Sequence, residues 1–586
     1  MSTNKSKKEL CESFDGFSGL DISSPIGSGR MSTFKNFKLL PDGSAIKRSG
    51  FRHVASLDGE SRGEIPFTDG EEEIILAAVG KSLVRISVLD GTVESAEIFD
   101  SADGCVKFFD YLGNLYIMEG HKLFRYVGGC AVEECIPYIP LYGKGWDPRA
   151  NPGTVNQPMN LLTPKIRISY TCNSVTVYDM QVGLPIKSID GVFRGTLELP
   201  SNYYSISSSG TAISFGGYSF SGEVNVYLTI DVDSFPSADF ESCDRVDVFD
   251  LFDASRIFMY GGADKGRTYV SHPISEDVEL IDKNVYANVA PVYFPDISPT
   301  RFSGIDHITA MARFFDRMLI FSEHRSFVTD SLRSDEGKAR MGLLINTASS
   351  TTGCASDKGN CFLGIGIPVT VSHGGIYKWE IDSEFEEKIT LTNIAPKVSA
   401  AFDRDFLTNA LVCYNRGENE IWFGNQKSEN GEVLVYNCAS GNWYMYDGIS
   451  ADRFFEIGEK LAFKKDNAFY IFDGEEGYDC FEWNERDIEA VIESAEFDFG
   501  DPSPLKHVDR VNLTCGLDGG SISLELTDGK PLLSLELDES RSSNAALDTD
   551  FFDLRVRTPR TQRAKLKLVA AGRNRQRVYS IIFFAD

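Results

Sequence analysis

The chain has 586 residues, of which 42% are hydrophobic and 12% aromatic, so it can bury a large core and is not globally disordered. Its 86 acidic residues outnumber the 58 basic ones, and the net charge of −28 repels phosphate groups and anionic lipids. Composition therefore disfavours a sequence-specific nucleic-acid-binding protein.

The N-terminal region begins with a polar, basic stretch and continues into a predicted hairpin. Residues 1–10 contain no apolar core of a signal peptide, and no run approaches the 18 apolar residues of a membrane-spanning helix. We therefore expect a flexible arm over residues 1–19 and no membrane span. Residues 31–38 and 46–52 flank a Pro-Asp-Gly-Ser turn at 41–44, which predicts a β-hairpin.

Short strands separated by Gly, Asn and Asp turns continue to residue 136, and residues 105–126 read as a three-stranded meander. We interpret residues 20–136 as the first part of a β-propeller. Nine prolines and glycines in 137–164 then predict a stiff, irregular crossing. The alternating runs that follow, such as residues 224–230, predict a β-sandwich inserted into the propeller, with linker and sandwich at 137–236.

Blade-like sequence resumes over residues 237–486. A turn, an aromatic and β-branched strand, a second turn and a second strand recur about every 30 to 45 residues, the spacing of propeller blades. Counting these units predicts about six to eight blades. Residues 400–412 are the best candidate for a short helix. Cys354 and Cys361 bracket a polar loop, where we expect unpaired thiols, the alternative being a disulfide formed after release from a cell.

The last hundred residues show cleaner alternation of apolar and polar residues. Examples are Ile522, Leu524 and Leu526, followed by Leu533 and Leu535. Period-two alternation over six or seven strands indicates one buried and one solvated face, so residues 487–586 are predicted to form a C-terminal β-sandwich. The predicted fold class is thus all-β, a β-propeller with an inserted and a C-terminal β-sandwich.

Three segments, in this order along the chain, resemble β-propeller proteins of phage and prophage tail modules. They are Asn36…Asp42-Gly43…Lys47-Arg48-x-Gly50-Phe51, Asn160-Leu161-Leu162-Thr163-Pro164 and Phe497-Asp498-Phe499-Gly500-Asp501-Pro502 with Lys506. The family resembled is the tail nozzle, or tail tubular protein, of short-tailed phages. The resemblance implies a structural virion protein that is assembled in the host cytoplasm and forms a ring, typically of six copies, through which DNA is ejected.

The resemblance also implies partners. They are other copies of the chain, a tail adaptor protein, tail fibres or tip proteins, and passing double-stranded DNA, which the acidic chain would not bind sequence-specifically. Two alternatives stay open. One is a receptor-binding (adhesin) propeller at the virion surface, which needs an exposed aromatic or polar pocket. The other is a polysaccharide-active propeller enzyme, which needs paired carboxylates in a central cleft.

The sequence contains few patterns that carry chemistry. The seven histidines are dispersed without an HExxH pair, and phosphate-binding loops and the GxSxG nucleophile motif are absent. We therefore predict no enzyme activity, no catalytic residue, no metal ligand and no cofactor.

Charge is uneven along the chain. Residues 541–586 hold ten basic and four acidic residues, so the preceding part carries a net charge of −34. This basic segment is predicted to dock onto an acidic partner, either another copy or the tail protein above it; the alternative is a solvated strand face. The candidate docking residues are Arg555, Arg557, Lys565, Lys567, Arg573, Arg575 and Arg577.

Overall fold

The structure is a computed structural model of the 586-residue chain. It describes residues 10–23, 31–150, 152–232, 238–250, 254–274, 285–297, 300–301, 304–315, 317–329, 345–363, 366–382, 388–474, 476–538 and 549–586. The fold is all-β. Within these ranges the helical segments are Ser201–Tyr203, Ala238–Glu241, Ser399–Ala401 and Arg404–Thr408. No helix of the described residues is long and apolar enough to cross a membrane.

Seven antiparallel units of four strands each follow one another around a ring, and we number them blades 1 to 7; blade 2 gains a short parallel strand, Val289–Ala290, and blade 6 is part of a larger sheet. Blade 1 consists of Ser61–Asp69, Glu72–Val79, Ser82–Ser87 and Val93–Glu97. Blade 2 consists of Val106–Tyr111, Asn114–Glu119, Lys122–Gly128 and Ala131–Pro137. Blade 3 consists of Arg245–Asp250, Ser255–Tyr260, Arg267–Val270 and Thr300–Arg301. Blades 4 and 5 are Ala310–Phe314, Arg317–Phe321, Ser326–Thr329, Ile345–Ser349; and Asn360–Leu363, Ile367–Ser372, Gly375–Ile381, Ile389–Asn393. Blades 6 and 7 are Ala410–Asn415, Glu420–Asn425, Val433–Asn437, Trp443–Tyr446; and Arg453–Ile457, Lys460–Lys465, Ala468–Ile471 with Arg52–Ser56.

Blade 7 closes the ring with a strand from the other end of the chain. Arg52–Ser56 pairs antiparallel with Ala468–Ile471, so the last blade is completed by an N-terminal strand. This closure leaves no long unpaired edge between the first and last blades, which is the physical advantage of a propeller. The predicted helix over 400–412 is shorter than expected, because Arg404–Thr408 is followed directly by the first strand of blade 6, Ala410–Asn415.

The insertion lies between blades 2 and 3 and forms one six-stranded sheet. Its strands are Leu141–Trp146, Lys165–Gln181, Ile186–Arg194, Leu197–Glu198, Ser205–Ile206 and Ala212–Ile230. The two longest strands pair along most of their length and bend at bulges, for example between Cys172 and Val175. One apolar cluster packs against this sheet. The inserted β-sandwich is thus built from one hydrogen-bonded sheet, because the bulges let its two long strands bend around a shared core.

The C-terminal sandwich consists of two facing sheets. The first contains Leu10–Asp15, Phe37–Leu39, Ala45–Lys47, Val508–Gly516, Asp550–Arg555 and Arg577–Ala585. The second contains Met31–Lys35, Ala490–Ser494, Ser521–Thr527, Pro531–Leu537 and Lys565–Ala571, and it continues into blade 6 as one nine-stranded sheet. Ile522, Leu524 and Leu526 are fully buried while their neighbours are not, as the alternation predicts.

The N-terminal segment belongs to this sandwich, which corrects two predicted boundaries. Leu10–Asp15, expected within a flexible arm, pairs with Arg577–Ala585; residues 1–9 lie outside the described residues. Met31–Lys35 and the hairpin around Gly43, expected in the propeller, also lie in the sandwich. The physical reason is burial: Phe34 and Phe37 are fully buried in the core that the sandwich shares with blades 5 to 7.

Candidate functional site

The predicted docking residues do not form one face. Arg555 and Arg577 lie on strands of the first sandwich sheet, whereas Lys565 and Lys567 lie on a strand of the second. Arg573 and Arg575 lie in the loop between the last two strands.

Four of the seven already have partners within the chain. Arg573 contacts Glu485 and lies 3.6 Å from Asp487, Arg577 contacts Asp42, and Lys567 lies 3.6 Å from Glu493. The Arg575 Nε donates to the Lys47 carbonyl over 2.8 Å. Arg555, Arg557 and Lys565 are exposed. The acidic neighbour expected for this segment is thus partly supplied by its own chain.

The N-terminal motif that carries the family resemblance forms a buried junction between the propeller and the sandwich. The Arg48 guanidinium makes two hydrogen bonds, 2.8 and 2.9 Å long, to the Asp479 carboxylate, and both side chains are at most 1% exposed. Arg48 also donates to the Asp447 carbonyl at the end of blade 6. Arg486 lies 2.5 Å from Asp479 on the other side. These additional partners offset the cost of removing the charged Arg48–Asp479 pair from water.

Asn36 completes the junction through its backbone and its side chain. Its φ of 56° is in the left-handed region, which asparagine adopts more readily than most residues. The Asn36 amide donates to the Asp447 carboxylate and to the Glu489 carbonyl, both over 2.7 Å, while its oxygen accepts from Arg48 and from the Asp447 amide. The spacing of Asn36 and Arg48 thus serves one network joining three parts of the chain.

Gly50 and Phe51 pack the junction against the propeller. A Cβ on Gly50 would lie 1.7 Å from the Tyr478 carbonyl oxygen, so only glycine fits there. The Phe51 ring is surrounded at 5.0 to 5.7 Å by the rings of Phe463, Tyr470, Phe472 and Phe481, mostly edge to face. The role of the Arg-x-Gly-aromatic motif is therefore to pack the junction closely against the propeller.

Lys47 is the other buried cation of the junction. Its Nζ contacts the Gly572 carbonyl and lies 3.4 Å from the Gln576 side-chain oxygen. Burial lowers the pKa of Lys47 to about 8, although the charges of Asp487 and Asp479 act in the opposite direction.

The propeller channel is a second candidate site. A cavity of about 530 Å³ is lined by residues from the innermost strands of all seven blades. Its charged side chains are mostly engaged across blades. Glu64 of blade 1 lies 3.3 Å from Arg453 and 3.1 Å from Lys464 of blade 7. Arg245 of blade 3 contacts Asp357, which precedes blade 5.

The pKa shifts in the channel follow from burial and these partners. Burial lowers the pKa of Lys107 and Lys358. Burial acts to raise the pKa of Glu64, but Arg453, Ser61 and Lys464 together hold it below its usual value. Burial raises the pKa of Asp247, which accepts a 2.6 Å hydrogen bond from the Tyr260 hydroxyl. Carboxylates of the kind that a polysaccharide-active enzyme would need are therefore present; Glu64 and Asp357 pair with cations of other blades, whereas Asp247 is bonded within blade 3.

A third cluster contains two of the histidines that the sequence showed as dispersed. Glu323 and His324 lie in the turn between two strands of blade 4, and His373 lies in a turn of blade 5. One ligand atom from each lies within 4.8 Å of the other two. Nothing in the sequence marked this group, because blades 4 and 5 bring together positions about 50 residues apart. The expectation of no metal ligand stays a prediction.

The sequence also missed the acidic half of the junction. Asp479 is 431 positions from Arg48, and nothing in its local pattern marks it as the partner of an arginine. The polar neighbours of Arg48, Lys47 and Ser49, offered no signal of a buried partner either.

No protein-family profile and no curated protein sequence matches the chain. Among solved structures, it is similar to the Cps50 (Swd1) β-propeller domain of Myceliophteria thermophila, at 9% identity over 72% of this chain and 98% of that one, with a TM-score of 0.26. It is similar to a glycoside hydrolase family 43 arabinoxylan arabinofuranohydrolase from Bacillus subtilis, at 12% identity over 73% and 96%, TM-score 0.19. A third match is TmCBM61, at 17% identity over 21% and 68%, TM-score 0.13. At these scores the likenesses carry no argument about activity.

Proposed function

We propose that this chain is a structural subunit of a phage-tail ring of the nozzle kind, through which DNA leaves the particle. The observation that carries the proposal is the junction around Arg48 and Asp479. The N-terminal segment pairs with the sandwich, supports blade 6 and closes blade 7. A chain tied together in this way suits a part that transmits force without changing shape.

The DNA channel of such a ring lies between copies and not inside one propeller. The propeller cavity has a volume of about 530 Å³, far too little for a duplex. Ion pairs between neighbouring blades, such as Glu64–Arg453, also line it. The proposal therefore requires several copies around a common axis, with the net charge of −28 offering passing phosphates few binding points.

Assembly of copies that each carry this charge needs attractive contacts. Arg555, Arg557 and Lys565 of the predicted docking set are exposed. They would orient a neighbouring copy or the tail adaptor protein, while apolar contacts provide most of the affinity.

Mass photometry and negative-stain microscopy of the purified chain test the proposal. We expect hollow rings at several times the 65.0 kDa mass of one chain. The Arg555→Glu/Arg557→Glu double variant should assemble less well, most visibly at low salt. Lys144→Glu/Lys187→Glu on the inserted sheet makes the same charge change elsewhere and should assemble like the parent. Solitary globules under all conditions, with or without other tail proteins, would contradict the ring.

One observation favours the receptor-binding alternative. Tyr178 and Leu197 of the inserted sheet are 69% and 66% exposed, and Tyr203 beside it is 48% exposed. Exposed tyrosines suit recognition of a surface ligand, because they offer a large rigid contact with a polar tip. If Tyr178→Ser/Tyr203→Ser abolished attachment of particles to host cells without affecting ring assembly, the insertion would be the adhesive element.

A further inference from the structure

The turn of blade 4 at Ser322–Arg325 and the turn of blade 5 around His373 place three potential ligands side by side. The His373 Nε2 lies 2.8 Å from the Glu323 Oε1, and the His324 Nε2 lies 3.7 Å from the same oxygen. The two imidazole rings are 4.8 Å apart between centroids. His324 is 69% exposed and Glu323 50%, whereas His373 is 25% exposed, so solvent reaches the group from one side.

Both turns are held in place by their own backbones. In the blade 4 turn, the Ser322 amide donates to the Arg325 carbonyl over 2.9 Å, and the Ser322 hydroxyl accepts from the Arg325 amide over 3.2 Å. The blade 5 turn is closed by the pairing of Ser372 with Gly375. Glu323, His324 and His373 therefore extend from turns whose backbones are held in place.

A single segment also ties the two turns to each other. The Cys354 amide donates to the Ser322 carbonyl over 2.9 Å, and the next amide, of Ala355, donates to the Val371 carbonyl over 2.8 Å. Gly353 permits this approach, because a Cβ there would meet the Ser322 carbonyl oxygen at 2.0 Å. The relative position of the ligands is thus fixed by the backbone before any ion binds, which reduces the ordering cost of binding.

From this geometry we infer that Glu323, His324 and His373 form a binding site for a divalent transition-metal ion of the zinc class. Two imidazole nitrogens and one carboxylate oxygen are a ligand set that zinc takes, with a fourth position left to water. A tetrahedral ion with bonds of about 2.0–2.1 Å separates its ligand atoms by about 3.4 Å. The observed 2.8 and 3.7 Å bracket that value, so small rotations of the exposed side chains complete the site.

The electrostatics of the group agree with cation binding. The Glu323 carboxylate contributes the negative charge, and its Oε1 lies 2.8 Å and 3.7 Å from the two imidazole nitrogens. Imidazole nitrogen favours zinc and its neighbours in the first transition row over magnesium and calcium, which prefer oxygen ligands. The bound ion would link blades 4 and 5.

Isothermal titration of the full-length chain with Zn²⁺ tests the site, with Mg²⁺ as the comparison ion. We expect the parent to bind one equivalent of Zn²⁺ that His373→Gln does not bind, or binds more than about tenfold more weakly, since even loss of an outer partner costs about 10–100-fold. His324→Gln should have the same effect. Because its side chain is mostly exposed, this second variant remains informative if the first fails to fold.

The matched control is His121→Gln. His121 is also an exposed histidine beside a carboxylate, 3.2 Å from Glu241, but it belongs to no described three-residue ligand group. It should bind Zn²⁺ like the parent. Titration with Co²⁺ should give visible bands of nitrogen and oxygen ligation without a thiolate charge-transfer band. Binding that survives in His373→Gln and His324→Gln, that is lost equally in His121→Gln, or that shows the thiolate band would overturn the site.

Discussion

Two arginine–carboxylate pairs of almost equal geometry occupy opposite surroundings in this chain. At the junction, Arg48 and Asp479 are joined by bonds of 2.8 and 2.9 Å and are at most 1% exposed. On the outer face of the sandwich, Arg510 and Asp553 are joined by bonds of 2.6 and 3.0 Å and are 43% and 41% exposed. Bond length therefore does not distinguish the two regions, but access of water does.

The difference in solvent access between the two pairs shows which charges stabilise the fold and which are available to a partner. An exposed pair contributes about 0–1 kcal/mol, because water and salt compete with it. A buried pair adds little over an apolar replacement, yet removing one member leaves an uncompensated charge and costs about 3–5 kcal/mol. The junction is thus intolerant of change, whereas the exposed basic residues of the sandwich can be changed without unfolding the chain.

The largest effect is expected at the junction. Arg48→Met should lower the free energy of unfolding by about 3–5 kcal/mol, because Asp479 loses its main partner and is left with the half-exposed Arg486. Arg510→Met is the matched control on the sandwich face and should cost at most about 1 kcal/mol. Urea unfolding of both variants measures the comparison. Equal losses for the two would show that burial does not decide the strength of these pairs.

Gly50→Ala should be the next most damaging change. The added methyl group overlaps the Tyr478 carbonyl oxygen, and relieving that overlap requires a backbone shift that typically costs about 1–3 kcal/mol. Gly474→Ala is the control, because a Cβ there meets nothing closer than 3.8 Å. Thermal unfolding of the two variants measures the difference. A Gly50→Ala protein as stable as Gly474→Ala would mean that the junction is looser than described.

The pH dependence of stability should reveal Lys47. Its pKa of about 8 in the folded chain lies below the value of about 10.4 in an unfolded chain. Between these values the unfolded chain holds more protons, so stability gains a contribution that rises with pH from about 8 to 10. Lys47→Met removes this contribution. Unfolding at pH 7, 8, 9 and 10 should show parent stability rising relative to the variant, and a constant difference would be inconsistent with a buried charged amine.

The smallest effect is expected in the exposed loop before the last strand. Arg573→Ala should change the free energy of unfolding less than any of the substitutions above, because its contacts with Glu485 and Asp487 are solvated. The difference from the parent should shrink as salt is raised. Urea unfolding at low and high salt checks this. A large loss that persists at high salt would place Arg573 among the junction residues.

The same contrast explains what could be predicted from the sequence. The turn at Gly43, with its φ of 83°, and the alternation through Leu524 depend on neighbours a few residues away, and local patterns report them well. The placement of the hairpin in the sandwich depends on which distant core buries Phe34 and Phe37. The residues of the turn do not indicate that core. Asp479 was missed for the same reason, since its partner is remote in sequence.

We propose that rigid copies of the chain assemble around a shared central channel. Cryo-electron microscopy of the assembled protein, with duplex DNA added, tests it most directly. We expect a ring in which each propeller cavity remains closed by its own side chains, while the open channel, and any DNA density, lies on the axis between copies. Density that threads a single propeller, or particles that contain only one chain, would contradict the account.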